Sequence, residues 1–228
     1  NSGYGVTDTL TGIENTGLGA YTLTYNTSGK SNTGVGLGAL YGNQTGNGNV
    51  AVGTRAMANG GTYSYNIAIG DSAMYGNNAN ENMAIGTKAM WFNNTGTPNT
   101  AVGNYAMQGN STGSFNTALG YQALFNVNGN GNTALGHTAG NTITTGTFNT
   151  LLGYNSDVTG AGLTNASAIG AYALVNQSNS LVLGSISGIN GATASTSVGI
   201  GTTTPANSKL EVLDNITPSR NAAYISGN

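Results

Sequence analysis

The sequence lacks cysteine, has one histidine, one tryptophan and three prolines, and only 5% of its 228 residues are charged. Without cysteine there is no disulfide framework and no thiolate metal site. A single imidazole, His137, is too few for a histidine-rich metal centre or a proton relay. Five Lys and Arg against seven Asp and Glu leave a formal charge of −2. No basic stripe tracks phosphates, so nucleic-acid binding is not expected. No apolar run approaches the ~20 residues of a membrane-crossing helix, so no membrane insertion of this segment is expected. The start carries no basic stretch followed by an apolar one, so no secretory leader is expected within it. Ordinary globular chains carry about 25% charged residues. An enzyme is therefore not expected, and catalytic, cofactor and metal residues are all assigned as none.

Glycine is abundant instead, at 38 positions, and it is periodic. The marker glycines are Gly5, Gly19, Gly36, Gly53, Gly70, Gly86, Gly103, Gly120, Gly136, Gly153, Gly170, Gly184 and Gly201, spaced 14 to 17 residues apart. One copy of the unit reads Asn99-Thr100-Ala101-Val102-Gly103-Asn104-Tyr105-Ala106-Met107. A fixed phase over thirteen copies signals a repeat architecture rather than a flexible polar chain.

Each column has a physical reading. The residue before the marker is Leu18, Val35, Val52, Ile69, Ile85, Val102, Leu119, Leu135, Leu152, Ile169, Leu183 and Ile200, with Tyr4 in the first copy. One position earlier stands mostly Ala or Gly, broken by Leu151 and Val182. Neighbouring residues of a strand point to opposite faces, so the aliphatic column faces one way and the small column meets close-packed backbone on the other. Four residues before the marker stands Asn in ten copies, from Asn1 to Asn149. Stacked amides at one turn can bond from coil to coil. After the marker a second strand is expected, with a small residue such as Ala56 or Ala106 followed by Leu or Met such as Met57 or Met107. Gly140, Asp157 and Gly188 interrupt that Leu/Met column. A period of 3.6 is absent and Gly, Asn and Thr are poor helix formers.

These columns predict an all-β parallel solenoid of about thirteen coils, with an array over residues 1–201 and a neck or junction over 202–228. Its thin interior holds the Ala column, and the aliphatic column faces outward. Leaving a dozen such side chains exposed would forgo about 20 kcal/mol of burial and leave an apolar stripe longer than soluble monomers show. A stripe along a rod calls for the same stripe from other chains, so a homo-oligomer is expected, with three chains the natural count for narrow rods and that column from Leu18 to Ile200 as its interface.

The unit N-T-A-V-G-x-x-A-M resembles the head repeat of trimeric autotransporter adhesins, and its 16–17-residue form resembles repeats of bacteriophage tail fibres. Asn165-Ala166-Ser167-Ala168-Ile169-Gly170 is the nearest single match. The stretch Val198-Gly199-Ile200-Gly201-Thr202-Thr203, with Lys209-Leu210-Glu211-Val212 after it, is similar to the junction that precedes a C-terminal chaperone in tail-fibre-like proteins. The resemblance implies a left-handed β-roll, three chains per rod, and an extracellular place on a virion tail fibre or a bacterial cell surface. It implies attachment to a host or cell surface through a glycan or protein receptor.

Other signals are weaker. Gly36-Leu37-Gly38 and Gly129-Asn130-Gly131 look like phosphate-loop fragments, but neither is placed between a buried strand and a helix. Loops between rungs tolerate variation, and Trp91-Phe92 is their densest aromatic pair, a candidate contact for a cell-surface glycan. A purely structural spacer that presents a separate binding tip is the alternative function. Ice templating by the Thr column (Thr16, Thr33, Thr100, Thr117, Thr133 and Thr150) is a third class, but that column shares its face with the aliphatic one.

Overall fold

The computed structural model describes residues 12–200 and 210–212. No helix occurs among them, and all regular structure is short strand. In chain order the strands are β1 (Thr16–Leu18), β2 (Thr33–Val35), β3 (Val50–Val52), β4 (Ile67–Ile69), β5 (Gly76–Asn77) and β6 (Met83–Ile85). Next come β7 (Phe92–Asn93), β8 (Thr100–Val102), β9 (Thr117–Leu119), β10 (Thr133–Leu135), β11 (Thr150–Leu152) and β12 (Asp157–Val158). The last are β13 (Ser167–Ile169), β14 (Leu174–Val175), β15 (Leu181–Leu183), β16 (Val198–Ile200) and β17 (Leu210–Val212).

Eleven of these form one parallel sheet in the order β1-β2-β3-β4-β6-β8-β9-β10-β11-β13-β15. Register carries each repeat column onto itself: Val50 pairs with Ile67, Ala51 with Ala68, Val52 with Ile69. The chain is a parallel β-solenoid, climbing ~4.8 Å per rung. The middle residue of each strand points inward, and Ala51, Ala68, Ala84, Ala101, Ala118 and Ala134 are fully buried. The twelfth repeat strand leaves the stack, since β16 pairs with β17. The first register, at Tyr4 and Gly5, and the last marker, Gly201, lie outside the described residues.

The expected second strand is instead a stack of turns. Residues after the marker curl within five positions, and Ala73 N–H bonds back to Gly70 O at 3.3 Å. Met57, Met74, Met90, Met107 and Leu124 then sit at φ of 48–49°. The reason is that both the small residue and its Leu or Met neighbour are buried, as at Ala73 and Met74. Two adjacent positions cannot both face inward on a strand, whereas a left-handed residue turns the second one in. That conformation costs roughly 1–2 kcal/mol for a side-chain-bearing residue, offset by about 1.5–3 kcal/mol from burying a Leu or Met. The turns still bond between rungs: Met74 N–H donates to Ala89 O and Met90 N–H to Ala106 O. Among the described residues, only the pairs β5–β7 and β12–β14 make short strand ladders in that half of the coil.

The marker glycines make this closeness possible. Gly86 has φ +131, and a Cβ there would lie 2.6 Å from the carbonyl carbon and oxygen of Gly103 on the next rung.

Two amide ladders tie the rungs. In the expected one, the Oδ1 of Asn49 accepts from Asn66 N–H at 3.0 Å and that of Asn66 from Asn82 N–H at 2.9 Å. The pattern runs from Asn15 to Asn149, whose Oδ1 accepts from Ala166 N–H. Each Nδ2 meanwhile closes a loop, as from Asn99 to Gly113 O at 2.8 Å. A second ladder lies seven residues after the marker. Asn43 Nδ2 donates to Asn26 Oδ1, Asn93 Nδ2 to Asn77 Oδ1, and Asn110 Nδ2 to Asn93 Oδ1. Val127 and Ile143 replace it further on, both fully buried.

Candidate functional site

The sheet presents one long outer face. The predicted interface residues Leu18, Val35, Val52, Ile69, Ile85, Val102, Leu119, Leu135, Leu152, Ile169 and Leu183 each close their strand and stand in one column across its rungs. The structure brings these together. Leu18, Ile69, Leu119, Leu135, Leu152 and Leu183 are exposed, Leu18 by 61%, and the five others are half-buried. Ile200 stands apart, in β16. The column two residues earlier, from Thr16 through Ile67 and Thr117 to Leu181, looks out from the same face. A single chain thus shows branched side chains to water along its whole sheet.

Aromatic rings flank that face. Beside the marker, Tyr105, Tyr121, His137, Tyr154 and Tyr172 form a row over five rungs, with successive centroids 5.8, 5.0, 5.1 and 5.2 Å apart. His137 lies nearly flat between Tyr121 and Tyr154, at 18° and 14°. No single column carries the row, because its three middle residues stand one place after the marker and its two end residues stand two. Its central rings cover one another's faces, so the row stiffens the rod and shows mostly edges outward. On the opposite flank, exposed Tyr65 and Phe148 fold back over glycines of the preceding rung. A Cβ at Gly48 would meet Tyr65 Cδ1 at 2.9 Å, and one at Gly131 would meet Phe148 Cδ1 at 2.7 Å.

The predicted glycan pair is brought together as well. Trp91 and Phe92 have centroids 4.5 Å apart, and Tyr75 adds a third ring 6.4 Å from Trp91. Trp91 is half-buried, with Lys88 Nζ 5.1 Å from its ring centre, while Phe92 is exposed. A cation over the indole occupies part of the surface that a sugar would use.

The chain matches no family model, no curated protein and no solved structure. Its chemistry must be read from its own side chains.

Titratable groups are sparse. Among the described residues, no group of three or more His, Asp and Glu is placed to hold a metal ion. Among them, no helix is long and apolar enough to cross a membrane. Asp157 is buried where the Leu/Met column would place a large apolar side chain. Its carboxylate accepts from Thr142 Oγ1 at 2.7 Å, from Val158 N–H at 2.8 Å and from Thr142 N–H. Burial pushes its carboxyl above the usual carboxylate range, and those hydrogen bonds pull partly back. This is a structural carboxylate, capping a turn.

Proposed function

We propose that the chain is a segment of a non-enzymatic homotrimeric fibre that attaches to a cell surface, as a phage tail fibre or a bacterial surface adhesin does, and works outside the cell. The observation that carries this reading is the outer face of the eleven-stranded sheet, apolar along its edge from Leu18 to Leu183. Side chains of that kind are worth about 1.5–3 kcal/mol each when covered. A straight in-register column is complementary to its own copy, which favours closed assembly around the rod axis. The left-handed roll and the count of three come from the resemblance to adhesin heads and tail fibres.

The test is the mass of the folded chain in solution. Sedimentation equilibrium is expected to return three copies, and Leu119→Lys with Leu135→Lys is expected to release single copies. A well-folded monomer of the unaltered chain would overturn the reading.

A structural spacer is the second reading, favoured by rings that stack on one another along the rod. Adsorption to cells separates the two. Attachment through the Trp91 region predicts loss of adsorption in Trp91→Ala and Phe92→Ala, whereas a spacer keeps it.

A further inference from the structure

The corners that follow the marker glycines carry a gap. Tyr21, Gly38 and Arg55 hold the same position, two residues after the marker, on three successive rungs. Rung-to-rung bonds keep them in line, with Gly38 N–H donating to Ala20 O and Arg55 N–H to Leu37 O, both at 2.8 Å. Because Gly38 has no side chain, the column loses one member, and an open cleft of about 470 Å³ lies there. Tyr21, Arg55, Tyr41, Asn59 and Tyr75 line it, with Arg55 its one charged group. Small-ligand sites fall at roughly 300–1,000 Å³.

The solenoid itself does not require this gap. A Cβ at Gly38 would meet no atom nearer than Arg55 Cγ at 3.9 Å. Its φ of +66 is shared by the side-chain-bearing residues of the same column, Tyr21 at 59, Arg55 at 54, Ser72 at 55 and Gln122 at 52. Neither space nor backbone calls for glycine, yet its absence of a side chain opens the cleft. Tyr41 is fixed from outside by Tyr25, edge-on at 4.8 Å with the two hydroxyls 3.2 Å apart. Tyr75 is braced by Trp91.

We infer that this cleft binds a saccharide that carries a carboxylate. Tyrosine faces are electronegative and accept the C–H face of a pyranose. A guanidinium fork matches a carboxylate through two parallel bonds, and the Asn59 amide can both donate to and accept from a hydroxyl. One cation among apolar walls holds one carboxylate of the saccharide at a time. The assignment names the receptor chemistry of the attachment reading and rests on it, and Tyr75 joins the cleft to the Trp91–Phe92 pair.

Isothermal titration of the full chain with trigalacturonate, neutral trigalactose and inorganic phosphate tests this. Trigalacturonate is expected to bind, and Arg55→Gln to weaken it by about tenfold or more, as loss of a charged hydrogen bond does. Gly38→Gln, which copies Gln122 of the same column, is expected to abolish binding while the thermal transition stays in place. Equal binding of trigalactose, binding of phosphate in place of trigalacturonate, no binding of trigalacturonate, or affinity unchanged in both variants would each overturn the assignment. The mass measurement is independent: a trimer that binds no uronate sinks the cleft alone, whereas a folded monomer that binds it sinks the assembly alone.

Discussion

The coils from Asn26 to Asn110 and those from Val127 to Val175 solve the same packing problem with opposite chemistry. In the first set, the position seven residues after the marker is a buried amide on every rung but that of Gly60, and adjacent amides bond to each other, as from Asn93 to Asn77 at 2.9 Å. In the second set, Val127 and Ile143 fill it with hydrocarbon, and the short strands β12 and β14 replace turns further along. Either works wherever a rung meets a rung of its own kind. The join between the two kinds is where the match fails. Asn110 Oδ1 is buried without a hydrogen-bond partner, because Val127 on the next rung has no side-chain donor. A solenoid is therefore sensitive to changes of type between rungs more than to the type chosen.

The feature common to both sets gives the largest effect. Gly86→Ala would force a Cβ to within 2.6 Å of the Gly103 carbonyl, at φ +131. The clash is with backbone, so rungs must part. A loss of more than about 3 kcal/mol is expected, in line with other severe backbone and overpacking changes, read as a collapse of the thermal transition. Gly170→Ala should be milder, since the nearest atom there, Gly184 Cα, is 3.0 Å away. Equal losses at both sites would show that φ, and not the approach of the next rung, sets the cost.

The amide ladder comes next. Asn93→Val removes the donor to Asn77 Oδ1 and the acceptor of Gly96 N–H. Two buried groups are orphaned at about 1–3 kcal/mol each, so roughly 3 kcal/mol of stability should go. Asn110→Val is chemically identical and should act in the opposite direction. Gly113 O keeps its bond from Asn99 Nδ2, and Asn93 Oδ1 keeps Gly96 N–H. The orphan disappears and the apolar run of Val127 gains one rung, for an expected gain of about 1 kcal/mol. Denaturant midpoints of the two variants should therefore fall on either side of the parent, and a loss in Asn110→Val would refute the account of the join.

Much of this was legible in the sequence, and what was missed has physical reasons. Ala101 beside Val102 shows its inward and outward sense through the period of two, and the amides from Asn15 to Asn149 show their ladder through fixed phase. Ala106 followed by Met107 reads as strand because Leu and Met rarely adopt positive φ. Burial of both side chains overrides that preference. The second ladder has a signal, Asn26, Asn43, Asn77, Asn93 and Asn110 at one offset from the marker, but Gly60 and then Val127 break it. The cleft has none, because Gly38 is one glycine among 38 and its meaning depends on Tyr21 and Arg55 lying on either side in space.

The smallest effect concerns Asp157, the polar exception in the apolar set. Its carboxyl is raised above the carboxylate range by burial, so in the pH interval just above the unfolded value of about 3.9 the folded chain holds the proton that the unfolded chain has lost. Stability then falls as pH rises through that interval and levels off above the folded pKa. The contribution is fully present on the acid side, opposite to a carboxylate held by a cation. Asp157→Asn keeps an oxygen for Val158 N–H and Thr142 N–H and gives Thr142 Oγ1 a donor in place of an acceptor, with no charge to desolvate. Melting temperatures compared at pH 4 and pH 7 should show a larger decline for the parent than for Asp157→Asn. A steeper decline in the variant would mean that the Thr142 and Val158 bonds outweigh burial, and that this turn prefers its carboxylate charged.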